Sequence, residues 1–324
     1  MKPEHAAVSA AARAAADASR RGAPRSRAAR DGAERAIRGA LLGCALLSIA
    51  STFTILAILL WQSARFFSMP EVSLTDFLTG TTWSPLLGAE KQFGIWPLVA
   101  GTMLVTAIAA AFALPVGLIA AIYLSEYAPR RVRTALKPVL EVLAGIPTVV
   151  YGFFALAVIT PFLHDRISEG FGTYNALGAG LAVGIMILPI VASLSEDALR
   201  AVPRSLRDAA YAMGSTRFDV STKVVVPAAL SGIMASWLLA ITRAIGETMI
   251  VALAAGNLAR MTADPRAEVQ TMTAYMVQIF LGDAPATGIE YRSSFAVATV
   301  LFVITLGLTL VGNLVLRAFR EEYD

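Results

Sequence analysis

Two ionisable residues, Arg243 and Glu247, lie deep inside an apolar segment of this chain, in the run from Ala228 to Gly256. A charge at bilayer depth costs roughly 2.5–3.5 kcal/mol on insertion scales, so such residues usually face protein or water and serve a function. Their spacing of four corresponds to about one helical turn, or ~6 Å of rise, which predicts that both side chains project from one helix face. A guanidinium there offers a donor fork for an oxyanion.

The surrounding composition predicts an all-α integral membrane protein. The chain has 324 residues, of which 56% are hydrophobic and 15% charged, and its mean hydropathy is +0.65. The apolar residues are massed in blocks of the roughly 20 residues that span a bilayer. Six transmembrane helices are therefore predicted, at about 40–64, 94–124, 139–163, 176–195, 228–256 and 293–316. We expect a disordered Ala- and Arg-rich tail over 1–39, a permease domain over 40–316 and a short C-terminal segment over 317–324.

The distribution of basic residues predicts the orientation. Most lysines and arginines lie in the tail, in the loops 125–138 and 196–227, and after residue 316. Cytoplasmic loops carry such an excess, so both termini and the 196–227 loop are predicted to be cytoplasmic. Because the basic residues flank apolar spans, they do not indicate nucleic-acid binding. With one cysteine, Cys44, and two histidines, the chain offers no disulfide or metal-ligand cluster, and no cofactor is expected.

The 196–227 loop contains a recognisable short-helix pattern. Pro203 suits the first turn of a helix and Gly214 suits its left-handed end. Between them stands Asp208-Ala209-Ala210, and nine residues separate Gly214 from Val224-Val225-Val226-Pro227. This arrangement resembles the coupling loop of ABC-transporter permeases, in which Glu-Ala-Ala, three residues and Gly precede Ile-x-Leu-Pro by nine residues. Asp replaces Glu here, and Val replaces Ile and Leu.

Three further stretches resemble phosphate-specific transport permeases of the PstC type. They are Leu114–Gly117 leading to Ala121–Tyr127, Ala144–Gly152, and Arg243–Thr248. The resemblance extends from about residue 40 to the C-terminus. It implies a type I ABC importer permease fold and places Arg243 and Glu247 on the translocation path. It also implies that Asp208, Ala209, Ala210 and Gly214 dock on a cytoplasmic ATPase.

The same resemblance implies a set of partners in the bacterial cytoplasmic (inner) membrane. These are a second permease of the PstA type, a PstB-type ATPase dimer that holds ATP and Mg, and a PstS-type extracytoplasmic phosphate-binding protein. The sequence supports the need for an ATPase, because a phosphate-cradling P-loop requires Gly-Lys. None of the four lysines follows a glycine, so the chain cannot supply the hydrolytic site itself. The resemblance therefore implies a transport subunit and not an enzyme.

The pair of charges suggests a mechanism for selecting phosphate. Phosphate near neutral pH retains a hydroxyl proton that Glu247 can accept, whereas sulfate has none. The alternative is that Arg243 and Glu247 only neutralise each other in an internal salt bridge. Thr102, Thr148 and Thr248 are expected to line the same route, although intramembrane threonines often bond their own backbone. Asn175 and Arg260, near predicted outer ends, are expected to meet the ion or the binding protein.

Three other functions fit parts of the sequence. An ABC permease for sulfate or molybdate would use the same coupling loop with different pathway residues. A stand-alone secondary transporter would need inverted repeats or further intramembrane carboxylates, and neither is visible in the sequence. A scaffold subunit without transport activity leaves Arg243 unexplained.

Overall fold

A computed structural model describes residues 27–86, 91–282, 285 and 288–318. The chain divides into two units, one ending at Ile58 and the other beginning at Leu59. Within the described ranges the only strands are β1 (Trp83–Ser84) and β2 (Gln92–Phe93), which pair antiparallel. All other regular elements there are helical. The predicted tail over 1–39 lies outside these ranges as far as residue 26, and so does the end of the chain after residue 318.

α-Helices follow one another through the described ranges. They are α1 (Arg27–Phe67), α2 (Leu74–Thr79), α3 (Trp96–Ile122), α4 (Arg130–Ala144), α5 (Thr148–Phe154), α6 (Thr160–Arg166), α7 (Ala176–Ala201), α8 (Arg204–Ala212), α9 (Arg217–Asp219), α10 (Val226–Ala228), α11 (Leu230–Ile245), α12 (Met249–Ala254), α13 (Met272–Leu281) and α14 (Ile289–Ala318). Three π-helical turns extend α3 or join neighbouring helices, at Tyr123–Tyr127, Ala155–Ile159 and Val220–Val225. Helix α1 begins at Arg27, inside the segment 1–39 that was predicted to be a disordered tail. The reason is that Ala and Arg, which are frequent there, both favour the helical conformation.

In the part of the chain that the structure describes, five helical segments are long and apolar enough to cross a membrane. They are Glu34–Phe67, Trp96–Tyr127, Thr148–Arg166, Ala176–Ala201 and Ile289–Arg317. A sixth span is obtained if Arg217–Ala228 and Leu230–Ile245, which meet at an angle of 69°, are counted as one. The prediction of an all-α membrane protein is confirmed.

The third span begins later than the predicted range 139–163. Residues 139–144 belong to α4, which buries none of its residues. This helix ends at Gly145, and α5 starts directly after Pro147. Proline disfavours the helical conformation of the residue before it and lacks an amide hydrogen, so a continuous helix across Ile146 and Pro147 is unfavourable. The membrane-length segment is therefore Thr148–Arg166.

The fifth span, predicted as one helix over 228–256, is interrupted. Its central part, α11, ends at Ile245, and α12 begins only at Met249. A helix of this length rises about 24 Å, which is less than the ~30 Å hydrocarbon core. At its other end the chain bends by 69° at the junction with α10. The predicted loop 196–227 is also shorter than expected, since α7 continues to Ala201.

Helix α7 is the centre of the second unit and packs closely against α3. Small residues allow this approach. A methyl group added at Gly180 would lie 2.6 Å from Ile108 Cγ2, and one added at Gly184 would lie 2.8 Å from Phe112 Cδ1. The surrounding core contains many buried alanines and valines from α3, α7 and α11. This packing fixes α11, and with it Arg243, against the middle of α7.

Candidate functional site

Arg243 lies in the last turn of α11, and the residue is exposed. Its Nε atom donates to the Sδ atom of Met186 on α7 at 3.3 Å. Among the residues that the structure describes, its two Nη atoms have no hydrogen-bond or ion-pair partner. The carbonyl groups at the end of α11 favour a cation at this position. The arrangement leaves most of the donor fork available to a ligand or to a neighbouring subunit.

Glu247 is not on the same helix as Arg243, so the prediction of a shared helical face is wrong. Gly246 ends α11, and Glu247 follows it with 8% of its surface exposed. Its Oε1 atom accepts hydrogen bonds from the amides of Met249 at 3.1 Å and Ile250 at 3.3 Å. The carboxylate therefore caps the first turn of α12, where the helix dipole favours negative charge.

The alternative of an internal salt bridge is also not observed. Both residues are described by the structure, and no ion pair joins Arg243 to Glu247 in it. Between them the backbone leaves the helical conformation, and the carbonyl of Glu247 accepts from the hydroxyl of Thr273 at 2.6 Å. Non-helical backbone inside a membrane is tolerated where protein buries it or where it lines a water-filled cavity. The interruption thus separates an uncommitted guanidinium at the end of α11 from a carboxylate that caps α12.

The three threonines predicted to line the route have different environments. Thr102 is 2% exposed, and its hydroxyl donates to Leu98 O at 2.8 Å and accepts from Met272 N at 3.0 Å. The second of these hydrogen bonds joins α3 to the start of α13, so Thr102 has a structural role. The hydroxyl of Thr248 donates to Gly246 O at 3.2 Å, within the interruption. Thr148, the first residue of α5, is half-buried and has no hydrogen-bonded side chain in the described part of the chain.

Asn175 and Arg260, which were predicted to lie near the outer ends of spans, form hydrogen bonds within the protein. Asn175 is fully buried, and its Oδ1 atom accepts from Gly178 N at 2.6 Å, which caps α7. Arg260 donates from Nε to Glu268 O at 2.8 Å. Capping residues are common before helices, and the position of Asn175 directly before the apolar block could have indicated this role.

The predicted short helix in the 196–227 loop is present as α8, which follows Pro203. Gly214 has a φ of +83°, the left-handed conformation that glycine adopts without steric cost. After the helix, Gly214 N donates to Tyr211 O at 2.9 Å and Ser215 N donates to Ala210 O at 3.2 Å. Asp208 and Ala209 are exposed, whereas Ala210 is half-buried against a cluster formed by α7 and α11.

Large apolar side chains are exposed around this helix. Tyr211 is 43% exposed, Met213 is 86% exposed and Phe218 is 66% exposed. The helix is held in place by Arg207, which donates to Val202 O at 2.6 Å and to Leu199 O at 2.8 Å. α8 thus presents small and apolar groups outward from a fixed base, which suits insertion into a groove on another protein.

A buried carboxylate at the end of α7 was missed by the sequence reasoning. Glu196 is 1% exposed and forms ion pairs with Arg133 at 2.8 Å, Lys137 at 3.2 Å and Arg200 at 3.7 Å. It lies one residue beyond the predicted fourth span, so its burial by α4 could not be inferred from hydropathy. The pKa of Lys137 is raised, first because it donates to Asp197 at 2.6 Å and also by its hydrogen bond to Glu196, while its partial burial opposes this rise.

Comparisons with known proteins find similarity to membrane components of transport systems. Residues 113–321 match the model of a family described as the binding-protein-dependent transport system inner membrane component. The chain is 34% identical over 271 residues to the probable ABC transporter permease protein YqgH of Bacillus subtilis, with 83% of this chain and 87% of that protein covered. It is 33% identical over 306 residues to the phosphate transport system permease protein PstC of Xylella fastidiosa, covering 86% and 90%.

A solved structure supports the same fold. A chain of the bacterial alginate ABC transporter, in complex with an alginate pentasaccharide-bound periplasmic protein, matches with a TM-score of 0.59. The match covers 86% of this chain and 95% of that chain at 17% sequence identity.

Proposed function

The chain belongs to the family of inner membrane components of binding-protein-dependent transport systems, and on that premise we propose that it is the PstC-type permease subunit of an ATP-driven importer of inorganic phosphate. It is a multi-pass membrane protein and a transport subunit, not an enzyme. The membrane in which it works is the bacterial cytoplasmic membrane.

The observation that carries the proposal is the uncommitted guanidinium of Arg243. In a membrane protein a cation without a protein partner needs water, a ligand or a neighbouring subunit. Phosphate suits it, because a guanidinium binds two oxygens of a tetrahedral oxyanion at once. The ion enters from the side of the binding protein and passes Arg243 between this subunit and a second permease of the PstA type.

Glu247 contributes to selectivity through its second oxygen. Oε1 is occupied by the amides that it caps, while Oε2 is the remaining acceptor. A phosphate ion that carries a hydroxyl proton can donate to that oxygen. A fully deprotonated sulfate can only be repelled by it. This makes the carboxylate a filter beside the Arg243 site, with Thr248 at the same interruption.

The energy for transport arrives through α8. Asp208, Ala209, Ala210 and Gly214 form the contact with a PstB-type ATPase dimer that binds ATP and Mg. Closure of the dimer moves α8, and Arg207 transmits this movement to the end of α7 through its bonds to Leu199 and Val202. Because α7 packs against α11, the displacement reaches Arg243, and its affinity for phosphate changes between the two access states.

Reconstituted uptake tests the substrate. The complex of both permeases, the ATPase and the phosphate-binding protein is placed in vesicles, and ATP-dependent uptake of radiolabelled phosphate is measured with sulfate or molybdate as competitors. We expect phosphate uptake that neither competitor reduces. Uptake of sulfate or molybdate in preference to phosphate would reject the assignment in favour of another oxyanion.

A crosslink tests the coupling contact. In a Cys44→Ser background, Ala209→Cys is paired with cysteines on the ATPase groove, and Thr79→Cys, exposed on the predicted outer side, serves as the control. We expect a crosslink only from Ala209→Cys. A functional complex in which neither position crosslinks would reject the role of α8.

A further inference from the structure

A second cationic site lies beside α8. A cavity of about 320 Å³ opens between the π-helical turn Tyr123–Tyr127, the first turns of α4 and the junction of α7 with α8. Its lining contains a single carboxylate, Glu126, and five arginines, namely Arg130, Arg133, Arg200, Arg204 and Arg207. We propose that this cavity binds a tetrahedral oxyanion of the phosphate class, separately from the route at Arg243.

The charges of this cavity are only partly neutralised by the protein. Arg207 pairs with Glu126 at 3.1 Å. Arg133 and Arg200 pair with Glu196, which is buried and does not belong to the cavity lining. The guanidinium groups of Arg130 and Arg204 have no hydrogen-bond or ion-pair partner among the residues that the structure describes. Like charges held close together disfavour one another, so an anion placed among the guanidinium groups would lower the free energy of this arrangement.

The backbone adds to the positive potential. Arg130 is the first residue of α4, a helix of 15 residues, and Arg204 is the first residue of α8, with 9 residues. Both helices therefore begin at the cavity, and the free amides of a first helical turn attract anions. The arginines supply the planar donor forks that match phosphate oxygens. The N-termini of two helices and five guanidinium groups thus all favour an anion in this cavity.

The remaining polar lining also suits a protonated phosphate. The hydroxyl of Ser125 donates to Glu126 Oε1 at 2.9 Å, and Arg207 donates to the same oxygen. Oε2 of Glu126 is left as an acceptor for a phosphate hydroxyl. The source of the phosphate group is either free orthophosphate or the headgroup of an anionic lipid, since both present the same oxygens.

Binding at this cavity would affect α8 directly. Arg204 and Arg207 belong to α8 and line the cavity, while Asp208 and Ala209 on the same helix are exposed. An anion bridging Arg204 to Arg130 would tie α8 to α4 and restrict its movement. If the proposed function holds, phosphate delivered by transport would reach this site and slow further import. That consequence rests on the proposed function, but the binding does not.

The test for free phosphate uses the purified complex of permeases and ATPase in detergent, without the binding protein. All variants carry Arg243→Ala, which removes the proposed pathway site. Binding of radiolabelled orthophosphate is measured by equilibrium dialysis for Arg130→Gln with Arg204→Gln, and for the control Arg131→Gln. Arg131 is exposed, adjacent on α4 and not part of the lining. We expect the double variant to weaken the Kd at least about tenfold and the control to leave it unchanged.

The test for lipid uses nanodiscs of phosphatidylcholine with or without phosphatidic acid, and native mass spectrometry counts the retained anionic lipid. Loss of one lipid in the double variant but not in Arg131→Gln would support the headgroup as the ligand. Absence of both ligands, or equal losses in the control, would overturn the site. A double variant that loses the ATPase while neither ligand binds to the parent would show a protein-docking surface instead. These titrations need no transport, so a failure of phosphate uptake leaves them readable.

Discussion

The Nε atom of Arg243 lies 3.3 Å from the Sδ atom of Met186, so its nearest fixed contact is a weak acceptor on the neighbouring helix. The sulfur orients the guanidinium without neutralising it. This relationship distinguishes Arg243 from Arg133, Arg200 and Arg207, which all pair with carboxylates.

Arg243→Ala is predicted to lower phosphate uptake by about tenfold to a hundredfold, because hydrogen bonds to charged groups contribute about 1.5–3 kcal/mol each. Arg243→Lys should retain part of the activity, since it keeps the charge but loses the fork. Uptake in vesicles is the measurement, with assembly of the complex checked by size-exclusion chromatography. Normal uptake by an assembled Arg243→Ala complex would remove this residue from the path.

Glu247→Gln is predicted to keep α12 capped and the complex assembled, because an amide oxygen can accept the same two hydrogen bonds. It should nevertheless admit sulfate, because the negative charge is gone. Glu247→Ala should in addition lower the stability by about 0.5–2 kcal/mol through loss of the cap. Sulfate and phosphate uptake are compared in vesicles. If Glu247→Gln discriminates as well as the parent, the carboxylate does not select the substrate.

Thr102→Val is predicted to destabilise the protein by about 1–3 kcal/mol, since the buried amide of Met272 loses its acceptor. Thr148→Val is the matched control, because its hydroxyl makes no hydrogen bond within the described residues. Thermal unfolding in detergent measures the difference. A similar loss in both variants would contradict the structural role assigned to Thr102.

Gly214→Ala is predicted to cost about 1–2 kcal/mol, because a side chain is unfavourable at a φ of +83°. Gly145→Ala is the control at another helix end, where φ is −87° and the added methyl group would lie 3.4 Å from Val142 O, an ordinary contact. Thermal unfolding and retention of the ATPase are both measured. Equal retention of the ATPase by both variants would indicate that the end of α8 does not shape the docking contact.

Lys137→Gln is predicted to lower the melting temperature at neutral pH, by the loss of about 1 kcal/mol of stability. The folded protein raises the pKa of Lys137 above 10.5, so its contribution is complete below that pH and is lost as the pH rises through the raised value. The difference from the parent protein should therefore vanish in strongly alkaline buffer. A difference that persists there would assign the effect to packing and not to charge.

The sequence alone determined the elements whose cause is local. Blocks of apolar residues predicted the membrane spans, because a bilayer requires about 20 such residues wherever they occur. Pro203 and Gly214 predicted both ends of α8, because each favours one backbone conformation whatever surrounds it. The motifs around Asp208 and Arg243 indicated the family, because each is a short run of residues that can be recognised in the sequence alone.

Only the tertiary structure decided which polar side chains are left without a partner in the protein and which are not. The spacing of Arg243 and Glu247 fitted an unbroken helix, but the helix ends at Gly246 and the carboxylate turns to the amides of α12. Thr102 and Glu196 acquired their roles from residues distant in sequence, Met272 and Arg133. Hydropathy cannot contain this information, since whether a polar atom is free depends on which other segments fold against it.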